Sequence, residues 1–334
     1  MDSDGTVRPL TAGDLDGAVA LDARIVGRRR RGYFEKRLAA ALRQPDQHLQ
    51  YGVDIDGKLA GMVLCHVLTG EFGQRDQAVM LEVVDVSPDA QNHGVGQQLI
   101  DGLEQAMRRR GIGTLQTEID WTDTGLAHFF AAAGFRKGPW HVIDCNVVAA
   151  LQAERRAAAE VDDDVFDSET GEPDYSGEVV DDLPTLARDR VDVRSLDADD
   201  LDRIVRIDRN VTGEAREDYM RAKLDEALND SAIRVSLIGE IDGQPAGFLM
   251  ARIDFGDFGR TEPVAVLDTI DVGPEWAQQG VATALLSQLM VNLSALQVEQ
   301  LETTVGRNNF DLLRFLYHHG FEPSQRIALV KTVH

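Results

Sequence analysis

Four carboxylates stand in two matched pairs: Glu82 and Asp85 in Leu81-Glu82-Val83-Val84-Asp85-Val86, and Asp268 and Asp271 in Leu267-Asp268-Thr269-Ile270-Asp271-Val272. A carboxylate among apolar neighbours can act as a general base, directly or through a water, and can equally cap a loop or join a structural ion pair. The members of each pair are three apart. In a regular strand they face opposite sides, so only one of each pair reaches a given face unless a bulge intervenes.

Each run continues into a glycine loop, Ser87-Pro88-Asp89-Ala90-Gln91-Asn92-His93-Gly94-Val95-Gly96 and Gly273-Pro274-Glu275-Trp276-Ala277-Gln278-Gln279-Gly280-Val281-Ala282. A strand, a tight turn and a helix start turn several unpaired N–H groups toward one point, and the helix dipole adds positive potential there. Such a loop can hold a pyrophosphate even on an acidic protein. The plainer alternative is that Gly94 and Gly96 only let the helix pack against the strand.

The elements that must carry these residues occur twice. A displacement of 186 residues maps Val7-Arg8-Pro9-Leu10 onto Val193-Arg194-Ser195-Leu196, Ile55-Asp56-Gly57 onto Ile241-Asp242-Gly243, and Gly134-Phe135 onto Gly320-Phe321. A copy of this length is far longer than a solenoid unit and holds its own core. The expected order is a short strand at 7–10, a helix capped by Thr11 or Asp14 with Ala18, Leu21, Ile25 and Val26 on its apolar face, and a helix at 33–43. A hairpin turning at Asp56-Gly57, a buried strand at 79–86 and an amphipathic helix through Leu99, Ile100, Leu103 and Met107 follow. A strand at 114–119, a helix ending at Gly134 and a strand at 141–147 close the copy. This order predicts an α/β (α+β) fold with a mixed, mostly antiparallel sheet flanked by helices in each of two domains. The boundaries are 1–148 and 191–334. Between them, 149–190 is read as a short helix at 149–160 and an acidic, Gly- and Pro-punctuated connector.

The strand, Val-x-Pro, Gln-x-x-Gly-x-Gly and following helix resemble motif A of the GNAT superfamily of N-acetyltransferases, and the early helix pair, hairpin and Gly-Phe agree with it in both copies. The resemblance implies an acetyl-coenzyme A dependent transfer of acetyl directly to an amine. It assigns the pyrophosphate to Gln91, Asn92, His93, Gly94, Val95, Gly96 and Gln97, and to Gln278, Gln279, Gly280, Val281, Ala282 and Thr283. In the second loop Ala277 replaces the usual Gln or Arg, and Ala282 the last Gly. The oxyanion is expected at a backbone N–H near Val86 or Val272, where the family splays its strands.

The family's Asn and, seven residues later, its Tyr acid become Asp123 and Phe130 in the first copy, and Asn309 and Leu316 in the second, with Tyr317 one place further on. One position turns a helical side chain by about 100°. With Glu82, Asp85, Asp268, Asp271 and Tyr317 as catalytic candidates and Asn309 on the coenzyme side, the second copy is favoured as the catalytic unit. The alternative is a non-catalytic coenzyme-binding or structural pseudo-dimer, since fold does not fix activity. Asp22, Arg30 and Tyr33 recur as Asp208, Arg216 and Tyr219, either as an acceptor wall or as inherited packing. The run Arg28–Arg31 suits a coenzyme phosphate, an acidic acceptor, the acidic connector or plain solvation.

The 334 residues carry 57 Asp and Glu against 34 Lys and Arg, a formal charge of −23, which opposes nucleic acid and anionic lipid as partners. The negative field steers cationic amines, small or peptidic. Such a surface suits a high-salt host or an ordinary acidic protein. Cys65 and Cys145 lack metal or disulfide spacing and read as core thiols. With neither a signal-like start nor an 18-residue apolar run, the expectation is a cytoplasmic protein, a monomer with internal pseudo-symmetry.

Overall fold

Strand-forming residues and turn pairs recur in the same order in both halves, and the secondary structure follows them. The computed structural model describes residues 6–68, 77–166, 190–214, 216–230, 233–254 and 256–334. The first half runs β1 (Val7–Pro9), α1 (Leu15–Val26), α2 (Arg31–Arg43), β2 (His48–Ile55), β3 (Lys58–Leu68), β4 (Ala78–Val86), α3 (Val95–Arg110), β5 (Thr114–Asp120), α4 (Thr124–Ala132), β6 (Arg136–Lys137) and β7 (Trp140–Asn146), then α5 (Val147–Phe166). The second runs β8 (Asp192–Ser195), α6 (Leu201–Thr212), α7 (Glu217–Asp225), β9 (Leu237–Ile241), β10 (Gln244–Asp254), β11 (Val264–Val272), α8 (Val281–Ala295), β12 (Gln300–Gly306), α9 (Phe310–His318), β13 (Glu322–Pro323) and β14 (Arg326–Thr332).

Local chemistry explains most boundaries. Asp56-Gly57 and Asp242-Gly243 all have positive φ, as a two-residue hairpin turn of the favoured hand requires. The Thr11 N–H donates to the Asp14 carboxylate at 2.7 Å, fixing the turn that opens α1. On α1, Ala18 and Leu21 are buried as expected, whereas Ile25 is exposed. α5 begins and ends beyond the expected 149–160, and the connector from 167 to 189 lies outside the described residues.

Each sheet has seven strands and is antiparallel apart from the β4–β5 and β11–β12 pairs. Each is covered on both faces: α1 and α2 pack on one side of the first sheet and α3 on the other, with an apolar cluster under each layer. The second half repeats this with α6, α7 and α8.

The halves are not contiguous in sequence. The strand orders are β1-β2-β3-β4-β5-β14-β6 and β13-β7-β12-β11-β10-β9-β8, so each half gives its last long strand to the other sheet. Residues 114–120 pair along their whole length with 326–332, and 300–306 with 140–146. Only Gly138-Pro139 and Ser324-Gln325 separate the strands that lie in different sheets. Val147 and Leu151 also belong to the second core. A cut at 148 therefore does not follow the sheets. Near the exchange, the Thr304 hydroxyl donates to the Glu118 carboxylate at 2.7 Å. These are equivalent positions of the two copies, as expected beside a pseudo-two-fold axis. Cys65 and Cys145 are both buried free thiols.

Candidate active site at the junction of the halves

Both glycine loops close in the same way. Asn92 and Gln278 have φ of 62°, and Gly94 and Gly280 of 81°, so each loop enters its helix through a left-handed residue. A Cβ built on Gly94 meets no atom within 4 Å, whereas one on Gly96 would lie 2.8 Å from the Phe129 ring. The two glycines thus have different causes: Gly94 allows the turn and an open approach, and Gly96 lets α3 pack on α4. The helix ladder begins at Gln98 N–H to Gly94 O and at Ala284 N–H to Gly280 O, so the amides of Val95, Gly96 and Gln97, and of Val281, Ala282 and Thr283, have no helical acceptor. Gln91, Asn92, His93 and Gln97 are exposed, as are Gln278 and, in part, Gln279. The Gln91 side chain braces the first loop by donating to Val86 O at 3.3 Å. Ala277 cannot do this in the second, where Gln279 donates instead to Glu275 O at 3.1 Å.

The parallel pairing of β4 with β5 stops at Leu81 and Thr117, and that of β11 with β12 at Val266 and Glu302. Beyond these points the strands part. Ser87 N–H donates to Ala60 O and Gly273 N–H to Ala246 O, on the side of β3 and β10. Alternation along a strand then turns the Val86 and Val272 N–H groups toward the opening, where an oxyanion donor is expected.

β4 bulges at Glu82, because Leu64 faces Val83 while Cys65 faces Leu81, and β11 bulges in the same way at Asp268. The extra residue shifts the phase of the strand, so Glu82 and Asp85 share the face covered by α1 and α2 instead of facing apart. Glu82 meets Arg37 and His66, with His66 Nδ1 2.5 Å from its Oε1. Burial opposes ionisation of Glu82, but Arg37 and His66 outweigh it and hold the carboxyl below its ordinary range. His48 stands directly across from His66 on β2, and burial, with Arg37 and His66 beside it, pushes its imidazole down to about 3.

Asp85 and Asp271 are different. Burial first, then Asp22, drives Asp85 up to about 7, and burial with Asp208 does the same to Asp271. Asp22 is fully buried against Arg30, and Asp208 against Arg216. The recurring Asp and Arg are thus internal pairs behind the acids. Arg30 also donates to the main chain at Gly256 and Arg260, and the Tyr33 hydroxyl donates to Asp257 at 2.6 Å, so 256–260 of the second half seats on the α1–α2 turn of the first.

Glu82 and His66 open onto a cavity of about 850 Å³ walled by both halves: Arg28–Arg31, Arg37, Arg43, His48 and His66 from the first, and Lys223, Glu226, Arg252, Asp254 and Asp257 from the second. Asp268 adjoins a recess of about 10 Å³, room for about one water. The 186-residue displacement maps Arg37, His66 and Glu82 onto Lys223, Arg252 and Asp268. Where the first copy has an imidazole, the second has a guanidinium, which cannot accept a proton. Arg252 lies 3.5 Å from the Asp268 carboxylate. His66 was not singled out as a site residue from sequence; comparing displaced positions would have exposed the His66 and Arg252 difference.

Tyr317 is 42% exposed and does not line the cavity, while Leu316 and Phe130 fill the core at the family's Tyr place. Asn309 caps α9, its side chain accepting from Leu312 N–H at 3.3 Å, as Asp123 caps α4.

The model of the acetyltransferase (GNAT) family matches residues 21–135 and again 201–321. The [ribosomal protein bS18]-alanine N-acetyltransferase of Escherichia coli (strain K12) is 25% identical over 97 residues, 29% of this chain; the chain spans only 61% of the length of that relative. Among solved structures, a tandem GNAT protein from the clavulanic acid biosynthesis pathway superposes with a TM-score of 0.64 at 16% identity, covering 99% of both chains. A GCN5-related N-acetyltransferase from Sphaerobacter thermophilus gives 0.57 at 15%, covering 98% of this chain and 96% of its own. At these identities the likeness is one of fold.

Proposed function

The chain belongs to the acetyltransferase (GNAT) family, and from that premise we propose that it transfers acetyl from acetyl-coenzyme A to an amine, with the chemistry in the N-terminal half. One observation carries the choice of half. Glu82, ionised and bonded to His66, sits at the first position where β4 leaves β5, on the strand that runs into the open Gly94 loop, and it faces the large cavity. The sequence favoured the C-terminal half through Tyr317. Its exposed position, and the closure of Asp268 behind Arg252, support a structural part for that copy instead.

The loop fits the coenzyme: an uncrowded Gly94 in left-handed conformation and the amides of 95–97 suit a pyrophosphate. The bound coenzyme supplies the acetyl group as a thioester. Val86 N–H stands ready for the oxyanion. With Glu82 ionised, His66 Nδ1 donates to it, so an unprotonated ring would accept the amine proton at Nε2 and pass it to the coenzyme thiolate that leaves as the amide bond forms. The intramolecular strand exchange favours a monomer, since it already joins two such domains.

Calorimetric titration with acetyl-coenzyme A tests this reading, using the wild type, Gly94→Glu and Gly280→Glu, followed by thiol release over a panel of amines. Binding lost in Gly94→Glu alone, with turnover that needs Glu82, is the expected result. No binding to the wild type would leave the structural pseudo-dimer.

A further inference from the structure

The cavity reverses the sign of the molecule around it. Among the described residues its wall carries nine Arg and Lys against six Asp and Glu, in a chain of net charge −23. Two of the acids, Asp254 and Asp257, are further discouraged from ionising, each by burial first and then by a neighbouring acid. Several cations are spoken for: Arg31 by Asp16 and Glu35, Arg30 by Asp22, Arg28 by Glu262, Lys223 by Glu226, and Arg252 by Asp268. Others are not. Arg29, exposed on the α1–α2 turn, has neither hydrogen bond nor ion pair among the described residues. Arg37 spends one nitrogen on Glu82, yet its Nε is buried and has no acceptor among the described residues. A buried guanidinium N–H without a partner costs free energy that a ligand acceptor atom would recover.

The two-fold logic adds to this. The second copy's version of the base constellation has become Lys223 and Arg252, and both side chains face the cavity that belongs to the first copy's Glu82 and His66. The wall is therefore proton-accepting at Glu82 and His66, ion-paired at Lys223 with Glu226 and at Arg252 with Asp268, and carries more Arg and Lys than Asp and Glu overall. A polyamine or a plain cationic amine would meet more cationic than acidic side chains on that surface.

Resting on the reading above, we infer that the acceptor is an amine that also carries an anionic group, a carboxylate or a phosphate monoester, with its amine at Glu82 and His66 and its anion at Arg29 and Arg37. Overall charge steers cations to the outer surface, but local guanidinium geometry selects what enters.

Calorimetry without coenzyme tests this with a nested series: L-serinamide with an amine alone, L-serine with amine and carboxylate, and O-phospho-L-serine with both anions, against spermidine. Glucosamine and glucosamine 6-phosphate repeat the comparison on a larger scaffold. The expected result is at least about tenfold tighter binding of the anion-bearing member of each matched pair, weakening as salt rises. Serine and phosphoserine separate carboxylate from phosphate recognition. Arg29→Ala, an exposed position that leaves the core intact, should remove about threefold or more of that preference, and Arg37→Met more. Spermidine or serinamide binding as tightly as phosphoserine overturns the inference, as does a preference that Arg29→Ala and Arg37→Met both leave unchanged. Since coenzyme is absent, failure of acetyl-coenzyme A to bind in its own titration would sink the transferase reading without touching this result.

Discussion

Replacing Asp85 with Asn is expected to stabilise the protein above neutral pH, although the residue is buried. Its carboxyl is pushed up to about 7 from an ordinary 3.8 by burial and by the Asp22 carboxylate. An acid whose folded pKa lies above its unfolded value binds a proton more tightly when native. Its contribution is complete below about 3.8, declines as pH rises through 7, and is flat above. The gap, at about 1.4 kcal/mol for each tenfold, amounts to roughly 4 kcal/mol lost by the wild type between pH 4 and pH 8. Asn stays neutral throughout, and its NH2 can donate to Asp22 as the protonated carboxyl does. Urea denaturation at a series of pH values should therefore give curves that meet near pH 4 and separate to as much as about 4 kcal/mol at pH 8.5, with the Asp85→Asn variant the more stable. Other titrating groups affect both proteins alike and cancel in the difference. Parallel curves, or a variant less stable at pH 8.5 than at pH 4 relative to wild type, would refute the protonated pair. Asp271→Asn repeats the test beside Asp208.

Glu82→Gln and His66→Gln should each lower kcat by about 10²–10⁴ with little change in acetyl-coenzyme A affinity, read by thiol release. Tyr317→Phe should leave the same rate within about twofold, because the side chain is exposed and outside the cavity. Gly96→Val would press a side chain onto Phe129 and cost about 1–3 kcal/mol by thermal denaturation, whereas Gly96→Ala is relieved by a shift of that ring. Truncation after Gln325 deletes β14 from the first sheet and exposes the edges of β5 and β6, so circular dichroism and gel filtration should report loss of the N-terminal half, far from the cut in sequence.

Much of the local structure around the candidate site was legible because its causes are local. The Asp-Gly hairpins, the Gly94 and Gly280 turns and the helix faces each arise from residues within one turn or one loop of each other. The acids at 82, 85, 268 and 271 were also legible as candidates. Their roles were not, because a bulge opposite residues 64 and 65 shifts the side-chain phase, and the bulge depends on a partner strand. Asn309 resembled a coenzyme ligand in one dimension, but its carbonyl oxygen caps α9. Neither Arg37 nor His66 lies in a local motif that marks it as a site residue; they acquire that meaning only across β3, β4 and α2.

By itself the sequence determined two copies of one α/β unit, the glycine loops, the turn geometry and the pairing of acids, since each follows from short-range sterics and hydrogen bonding. Tertiary structure alone decided which copy receives which final strand. Residues 140–146 and 326–332 follow equivalent elements, and β5 and β12 are equivalent ladders, so local pattern is the same for pairing within a half or across halves. Only the assembled molecule, with two-residue connections leading from β6 and β13 into the opposite sheet, distinguishes them. That exchange joins the halves around one shared cavity, bringing Lys223 and Arg252 to the same wall as Glu82 and His66.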